Sequence, residues 1–185
     1  MRVMVVGGAG YIGSFVVQGL IGRGHEAFVL DDLSTGHRES VGEGVEVFEG
    51  RCGDEEAVAA AMEERGIEAV VHLAALSLVG DSVRQPCHYW RENVGQTAGL
   101  LMACERAGVR RLVFSSTAAV YGEPEIVPIE EDHPLRPTNP YGATKLAIEQ
   151  MLRHMEAAAR LGWVSLRYFN AAGACPDGER GEDHD

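Results

Sequence analysis

The sequence predicts an α/β fold, a doubly wound parallel sheet in the order 3-2-1-4-5-6, on three observations. Short β-branched apolar runs alternate with longer stretches of helical spacing, the signature of repeated βαβ units covered on both faces. The first run ends in clustered glycines that open directly into a helix. The length, 185 residues, suits one compact domain able to bury a sizeable core.

Six runs read as strands: Arg2–Val6, Glu26–Leu30, Val45–Phe48, Ala69–Leu73, Arg111–Ser115 and Val164–Tyr168. Each is too short for a helix and is bounded by glycine or polar residues. Helical spacing runs over Tyr11–Arg23, Asp54–Arg65, an interrupted stretch Tyr89–Ala107, and Pro140–Leu161. The last is the best bounded, because Asn139 can cap it, Pro140 suits its first turn and Gly162 suits a left-handed stop. Gly24, Gly66 and Gly108 are placed to end the others. Ser34–Gly44 and Pro124–Thr138 read as loops. From Ala174 the chain turns acidic and loses apolar periodicity, so residues 1–173 are expected to form the domain and 174–185 an acidic loop.

Composition excludes several classes of function. A formal net charge of -12 argues against sequence-independent nucleic-acid binding, which needs clustered Lys and Arg. Apolar content of 45% and charged content of 24% match an ordinary globular protein, and no run of about 18 apolar residues predicts a membrane span. The amino terminus enters a strand without the apolar stretch of a secretory signal, so a cytoplasmic location is expected. Cys52, Cys87, Cys104 and Cys175 are far apart and the histidines show no ligand spacing. Neither a metal site nor a disulfide framework is predicted.

Val3–Val6 leads into Gly7-Gly8-Ala9-Gly10-Tyr11-Ile12-Gly13. In a phosphate-binding turn the first glycine allows the tight bend, the second lets a pyrophosphate approach and the third lets helix pack on strand. The helix amino terminus adds free N–H groups and partial positive charge. About twenty residues on, the second strand ends in Asp31-Asp32, where a carboxylate can accept from ribose hydroxyls and repel a 2'-phosphate. NAD is therefore predicted over NADP, with Asp31 the favoured contact because it ends the strand.

Tyr141 and Lys145 lie four apart at the start of the last helix and share a face. A tyrosine acting as base near neutrality needs its pKa lowered by roughly 3 units, about 4 kcal/mol. A nearby ammonium and a positive nicotinamide ring are the expected sources. Lys145 can also reach the nicotinamide ribose. Upstream, Ser115-Ser116-Thr117 places hydroxyls where parallel-sheet ligands bind, and Thr117 can orient a substrate hydroxyl toward Tyr141.

Across the whole chain the segments 7–13, Leu30-Asp31-Asp32-Leu33-Ser34-Thr35-Gly36, His72-Leu73-Ala74-Ala75, Ser116-Thr117-Ala118-Ala119-Val120-Tyr121-Gly122, Asn139-Pro140-Tyr141-Gly142-Ala143-Thr144-Lys145 and 166–173 resemble, in order, the motifs of UDP-glucose 4-epimerases. These are extended short-chain dehydrogenases/reductases with a Rossmann-like fold. The resemblance implies tightly bound NAD, a UDP-sugar substrate, hydride leaving C4 and returning to the other face of a 4-keto sugar, with Tyr141 as base, Thr117 its hydroxyl partner and Lys145 the cofactor-orienting residue. It places Gly7, Gly10, Tyr11, Ile12, Gly13, Asp31, Asp32, Ser34, Cys52, Leu73, Ala74, Ala75, Asn93, Ser115, Tyr141, Lys145 and Tyr168 along the cofactor. Thr117, Tyr141 and Asn170 fall to the substrate. It also implies a homodimer built on the Tyr89–Ala107 and Pro140–Leu161 helices. Sugar-nucleotide 4,6-dehydratases place acids after the catalytic Ser or Thr, where this chain has Ala118 and Ala119.

Three departures stand out. The family usually has Gly-Asp and an apolar residue after the third strand, the Asp meeting the adenine amine, but this chain reads Gly50-Arg51-Cys52. Ser77 stands where many members carry a lysine near the cofactor. Members also continue well past the position equivalent to Asp185, with a smaller domain that grips UDP, so residues 1–185 alone are expected to bind NAD and turn over UDP-galactose poorly. The alternative is a non-catalytic NAD-binding module or sensor.

Overall fold

The computed structural model describes residues 1–158, 160–175 and 181–182. Its centre is a six-stranded parallel sheet in the order β3-β2-β1-β4-β5-β6, formed by β1 (Arg2–Val6), β2 (Glu26–Asp31), β3 (Glu46–Glu49), β4 (Ala69–His72), β5 (Arg111–Thr117) and β6 (Gly162–Tyr168). The order is the predicted one. Helices α1 (Tyr11–Ile21), α2 (Glu55–Arg65), α3 (Val79–Arg84), α4 (Pro86–Tyr89), α5 (Gln96–Arg106) and α6 (Pro140–Ala157) complete the fold.

Alternation along β1 divides the core between two faces. Met4 and Val6 join the larger cluster, with Val58 and Met62 of α2, Leu100 and Cys104 of α5, and Ile148 and Leu152 of α6. Val5 points the other way, into a smaller cluster with Val29 and with Val17 of α1. On that second face Val164 and Leu166 of β6 remain 54% and 39% exposed.

Local chemistry explains the element boundaries. Asp54 caps α2 by accepting from Ala57 N, and Gly66 ends it in the left-handed conformation at φ 58°. Asn139 Oδ1 accepts from Gly142 N at 2.9 Å and Pro140 opens α6. The far end of α6 differs from expectation. The helix stops at Ala157, and Gly162, expected as its left-handed stop, instead opens β6 opposite Arg111. Pairing along β5 extends the strand past the point where local propensity would begin it. The interrupted Tyr89–Ala107 stretch is one α-helical turn, a π-helical segment Trp90–Gly95 and then α5, preceded by the unpredicted α3. Such π segments widen a helix locally and recur at functional sites. Residues 176–180 and 183–185 of the expected acidic loop lie outside the described residues. No helix among the described residues is long and apolar enough to cross a membrane.

Candidate active site

The crevice lies beyond the carboxyl ends of the strands where the order reverses, between β1 and β4. Three of the turn glycines are required by the protein itself. Gly7 has φ +82°, and a Cβ there would lie 2.6 Å from Ala74 N; a Cβ on Gly8 would lie 2.6 Å from a methyl of the buried Val29, and one on Gly13 would collide with the Gly7 carbonyl. Gly10 is different, since its Cβ would meet only Gly7 O at 3.5 Å, an ordinary contact. No packing demand explains Gly10, and the space it leaves is where a phosphate would approach. Beside it α1 begins with no side-chain cap and no acidic residue in its first turn, so the amino-terminal N–H groups around Tyr11, Ile12 and Gly13 are available to an anion. A dinucleotide pyrophosphate fits this cradle.

Asp31 closes β2 and braces the turn: Oδ2 accepts from Ala9 N and Oδ1 from Leu33 N, both at 2.9 Å. Leu33 is held at φ 55° in the process. Asp32 is exposed and accepts from Ser34 N and Ser34 Oγ, so it shapes the loop while Asp31 faces the glycines. At the end of β3 burial pushes the Cys52 thiol up to about 12, and Asp32, Arg51 and Glu92 surround it. Across the switch point Leu73 N and Ala74 N both donate to Val6 O, at 2.8 and 3.0 Å, which seats residues 73–75 against Gly7. Asn93, in the π segment, accepts from Leu76 N at 2.9 Å and donates to Leu76 O and Thr144 Oγ1 at 3.0 and 3.1 Å. Both amide hydrogens are thereby committed, and the residue clamps the loop after β4 to α6.

At the other end Lys145 is 2% exposed, its Nζ donating to Ser115 O at 2.8 Å and lying 4.9 Å from the Phe114 ring centre and 5.9 Å from that of Tyr141. Thr117 hydrogen-bonds the Tyr141 hydroxyl, and Tyr168 pairs with Thr117 at the neighbouring strand end. Tyr141, Lys145, Thr117 and Ser115 are thus brought together at the end of β5. The chain's own groups do not lower the Tyr141 pKa. Burial raises the Tyr141 pKa against the opposing Thr117 hydrogen bond, and burial also pulls Lys145 down to about 7. Lys145 does not offset that burial of the phenol, and Ser77, exposed on the loop, adds no charge. Asn170 is exposed just past β6, and the chain returns to let Tyr11 Oη donate to Gly173 O at 2.6 Å.

Sequence reasoning missed the groups beneath these. Glu149, 0% exposed and one helical turn past Lys145, accepts from Ser116 Oγ at 2.6 Å, from Ser165 Oγ at 3.1 Å and from Arg167 Nε and Nη2 at 3.1 and 2.8 Å. Burial alone would raise its pKa, but these bonds hold it below the ordinary carboxylate value. Arg167 also donates to Tyr121 Oη and Glu131 O, tying the loop before α6 to the sheet. The four-residue spacing of Glu149 from Lys145 was the only available signal. His72 Nε2 lies 2.8 Å from Thr97 Oγ1, whose proton goes to Asn93 O at 2.6 Å. The histidine is therefore the donor, its Nδ1 is buried without a partner, and burial, with the Lys145 charge, lowers its pKa to about 3. No group of three or more His, Cys, Asp or Glu able to hold a metal occurs among the described residues.

A glycine cradle at the switch point of a parallel sheet, with Tyr141 beside the buried Lys145 at the end of β5, defines a dinucleotide-binding α/β domain. Residues 3–184 match the NAD dependent epimerase/dehydratase family, and the chain belongs to it. It is 46% identical over 184 residues to the UDP-glucose 4-epimerase of Lacticaseibacillus casei, covering 100% of this chain and 56% of that protein. The crystal structure of UDP-glucose 4-epimerase from Brucella ovis in complex with NAD superposes with a TM-score of 0.96 at 46% identity, covering 99% of this chain and 56% of the other. The Thermotoga maritima UDP-glucose 4-epimerase structure with UDP-glucose gives 0.90 at 35% identity, covering 98% and 60%. The chain spans little more than half the length of these relatives.

Proposed function

We propose that this chain is the NAD-binding part of an enzyme that epimerises a UDP-hexose at C4. The observation that carries the proposal is the Tyr141, Thr117 and Lys145 cluster at the end of β5, facing the crevice that the glycine turn opens. In this reading Gly10 and the first turn of α1 receive the pyrophosphate, Asp31 the adenosine ribose, and Lys145 the nicotinamide ribose. NAD, when bound, supplies the hydride acceptor and its positive ring. Tyr141 takes the proton of the C4 hydroxyl and later returns it, while Thr117 holds that hydroxyl in line. Since this chain's own groups leave Tyr141 protonated near neutrality, the phenolate forms only when further positive charge enters the site. Lys145, at about 7, is poised to gain a full charge beside an anion.

Ala118 and Ala119 occupy a 3-10 turn directly after Thr117 and provide no acid for removing a C6 hydroxyl, which favours epimerisation over dehydration. Residues 1–185 alone would hold the cofactor but offer few partners to the uridine diphosphate, so positioning energy would be lost. Two copies would pair through a bundle of the helices over Tyr89–Ala107 and Pro140–Leu161, on the first of which Trp90 and Met102 are 43% and 53% exposed. The test is conversion of UDP-galactose to UDP-glucose by these residues joined to the carboxyl-terminal part of a relative. Tyr141→Phe is expected to lower turnover by about 100-fold or more with NAD still bound; turnover indifferent to that change would refute the assignment.

A further inference from the structure

We infer that Arg51, held by Glu92, sets base selectivity at the adenosine end of the crevice, favouring a purine that presents an acceptor at C6 over one that presents an amine. The inference rests on the proposed dinucleotide site. Tyr141 and Lys145 mark one end of the crevice, the glycine turn its middle, and Asp31 at the end of β2 the far ribose. The strand beyond β2 is the sheet edge β3, so a base attached to that ribose lies over the turn that follows it, residues 50–54.

That turn is a fixed platform. Gly50 N donates to Asp31 O at 3.0 Å, Gly53 N donates to Gln96 Oε1 at 2.9 Å, and a Cβ on Gly99 would collide with the Gly53 carbonyl. Its exposed polar side chains are Asp54, which caps α2, and Arg51, 54% exposed, with its guanidinium bonded to the Glu92 carboxylate, only 15% exposed. Glu92 is committed, since Oε2 meets Arg51 and Oε1 accepts from Arg91 Nε at 2.7 Å.

A guanidinium donates and never accepts. Facing the C6 amine of adenine it leaves two donors opposed, whereas the C6 oxygen and N7 of a 6-oxopurine form the acceptor pair that Arg engages with two parallel bonds. Glu92 fixes the fork in place, so less freedom is lost on pairing. Of the other carboxylates near the turn, Asp32 accepts from Ser34 N and Oγ through Oδ1, and Asp54 accepts from Ala57 N through Oδ1.

Isothermal titration of the purified chain with NAD and with nicotinamide hypoxanthine dinucleotide tests this. The unsubstituted chain is expected to bind the hypoxanthine form at least as tightly as NAD. Arg51→Asp, which accepts from an amine, is expected to shift the ratio about tenfold toward NAD, and Arg51→Gln, suited to the N6 and N7 edge of adenine, in the same direction. A ratio unchanged by either substitution, or one that moves with Asp32→Asn instead, overturns the inference alone. Failure of the unsubstituted chain to bind either dinucleotide overturns it together with the cofactor reading.

Discussion

The two ends of the crevice are built in opposite ways. Around Tyr141 the supporting groups are dry: Lys145 is 2% exposed, and Thr144 and Glu149 are 0% exposed. Around the β3 turn they are wet, with Arg51 and Asp32 at the surface. Chemistry that depends on a protonation state needs a low-dielectric setting, where neighbouring charges act strongly and water cannot compete. Recognition of a base or ribose needs only correctly placed donors and acceptors. The dry end therefore ties many elements into one network, while the wet end can exchange a side chain without disturbing the core.

The contrast sharpens most at Glu149. Glu149→Ala leaves Arg167 without its carboxylate and the Ser116 and Ser165 hydroxyls without an acceptor, at an expected cost of about 3–5 kcal/mol in chemical denaturation. A cost comparable to that of a surface substitution would remove the distinction between the two ends. Lys145→Met acts next in size and in the opposite direction. The folded pKa, about 7, lies below the ordinary 10.5, so the unfolded chain holds the extra proton and folding is penalised at neutral pH. Stability of the unsubstituted chain should rise as pH climbs through that window. The variant should gain up to roughly 4 kcal/mol at pH 7, an advantage that fades by about pH 10, while its NAD affinity falls.

His72 gives an effect that is absent at neutral pH and grows only in acid. It stays neutral in the fold down to about 3 but protonates on unfolding below its ordinary 6.5. Stability should therefore fall as pH drops across that interval, by on the order of 1.4 kcal/mol per unit, and His72→Asn should flatten the slope. The smallest effect belongs to the wet end. Asp31→Ala loses two bonds to backbone N–H groups, costing about 1–2 kcal/mol, and should weaken NAD binding while relaxing discrimination against NADP. Equal affinities for both dinucleotides before and after the change would remove Asp31 from the ribose.

Much of this arrangement was legible in the sequence because it is local. The strand order follows from alternating runs, the glycine turn from its spacing, and the Tyr141–Lys145 pair from a four-residue interval behind Asn139-Pro140. Strand ends were misplaced by one or two residues where pairing across the sheet, not propensity, sets the limit, as at Gly162 and at Thr117. The burial of Lys145 was not readable, since a lysine at helical spacing is ordinarily solvated. Nor were the contacts of Glu149 with Arg167 or His72 with Thr97, which join residues 18 and 25 positions apart through tertiary packing. That Lys145 by itself does not lower the Tyr141 pKa was hidden for the same reason: proximity of a lysine was legible, its desolvation was not.

The most direct measurement is the ultraviolet titration of phenolate in the purified chain with and without NAD, compared with Tyr141→Phe to isolate one tyrosine. Tyr141 is expected to ionise above its ordinary pKa without NAD and to fall toward neutrality when NAD binds, with the fall diminished in Lys145→Met. A Tyr141 titration unmoved by saturating NAD would contradict its role as the base.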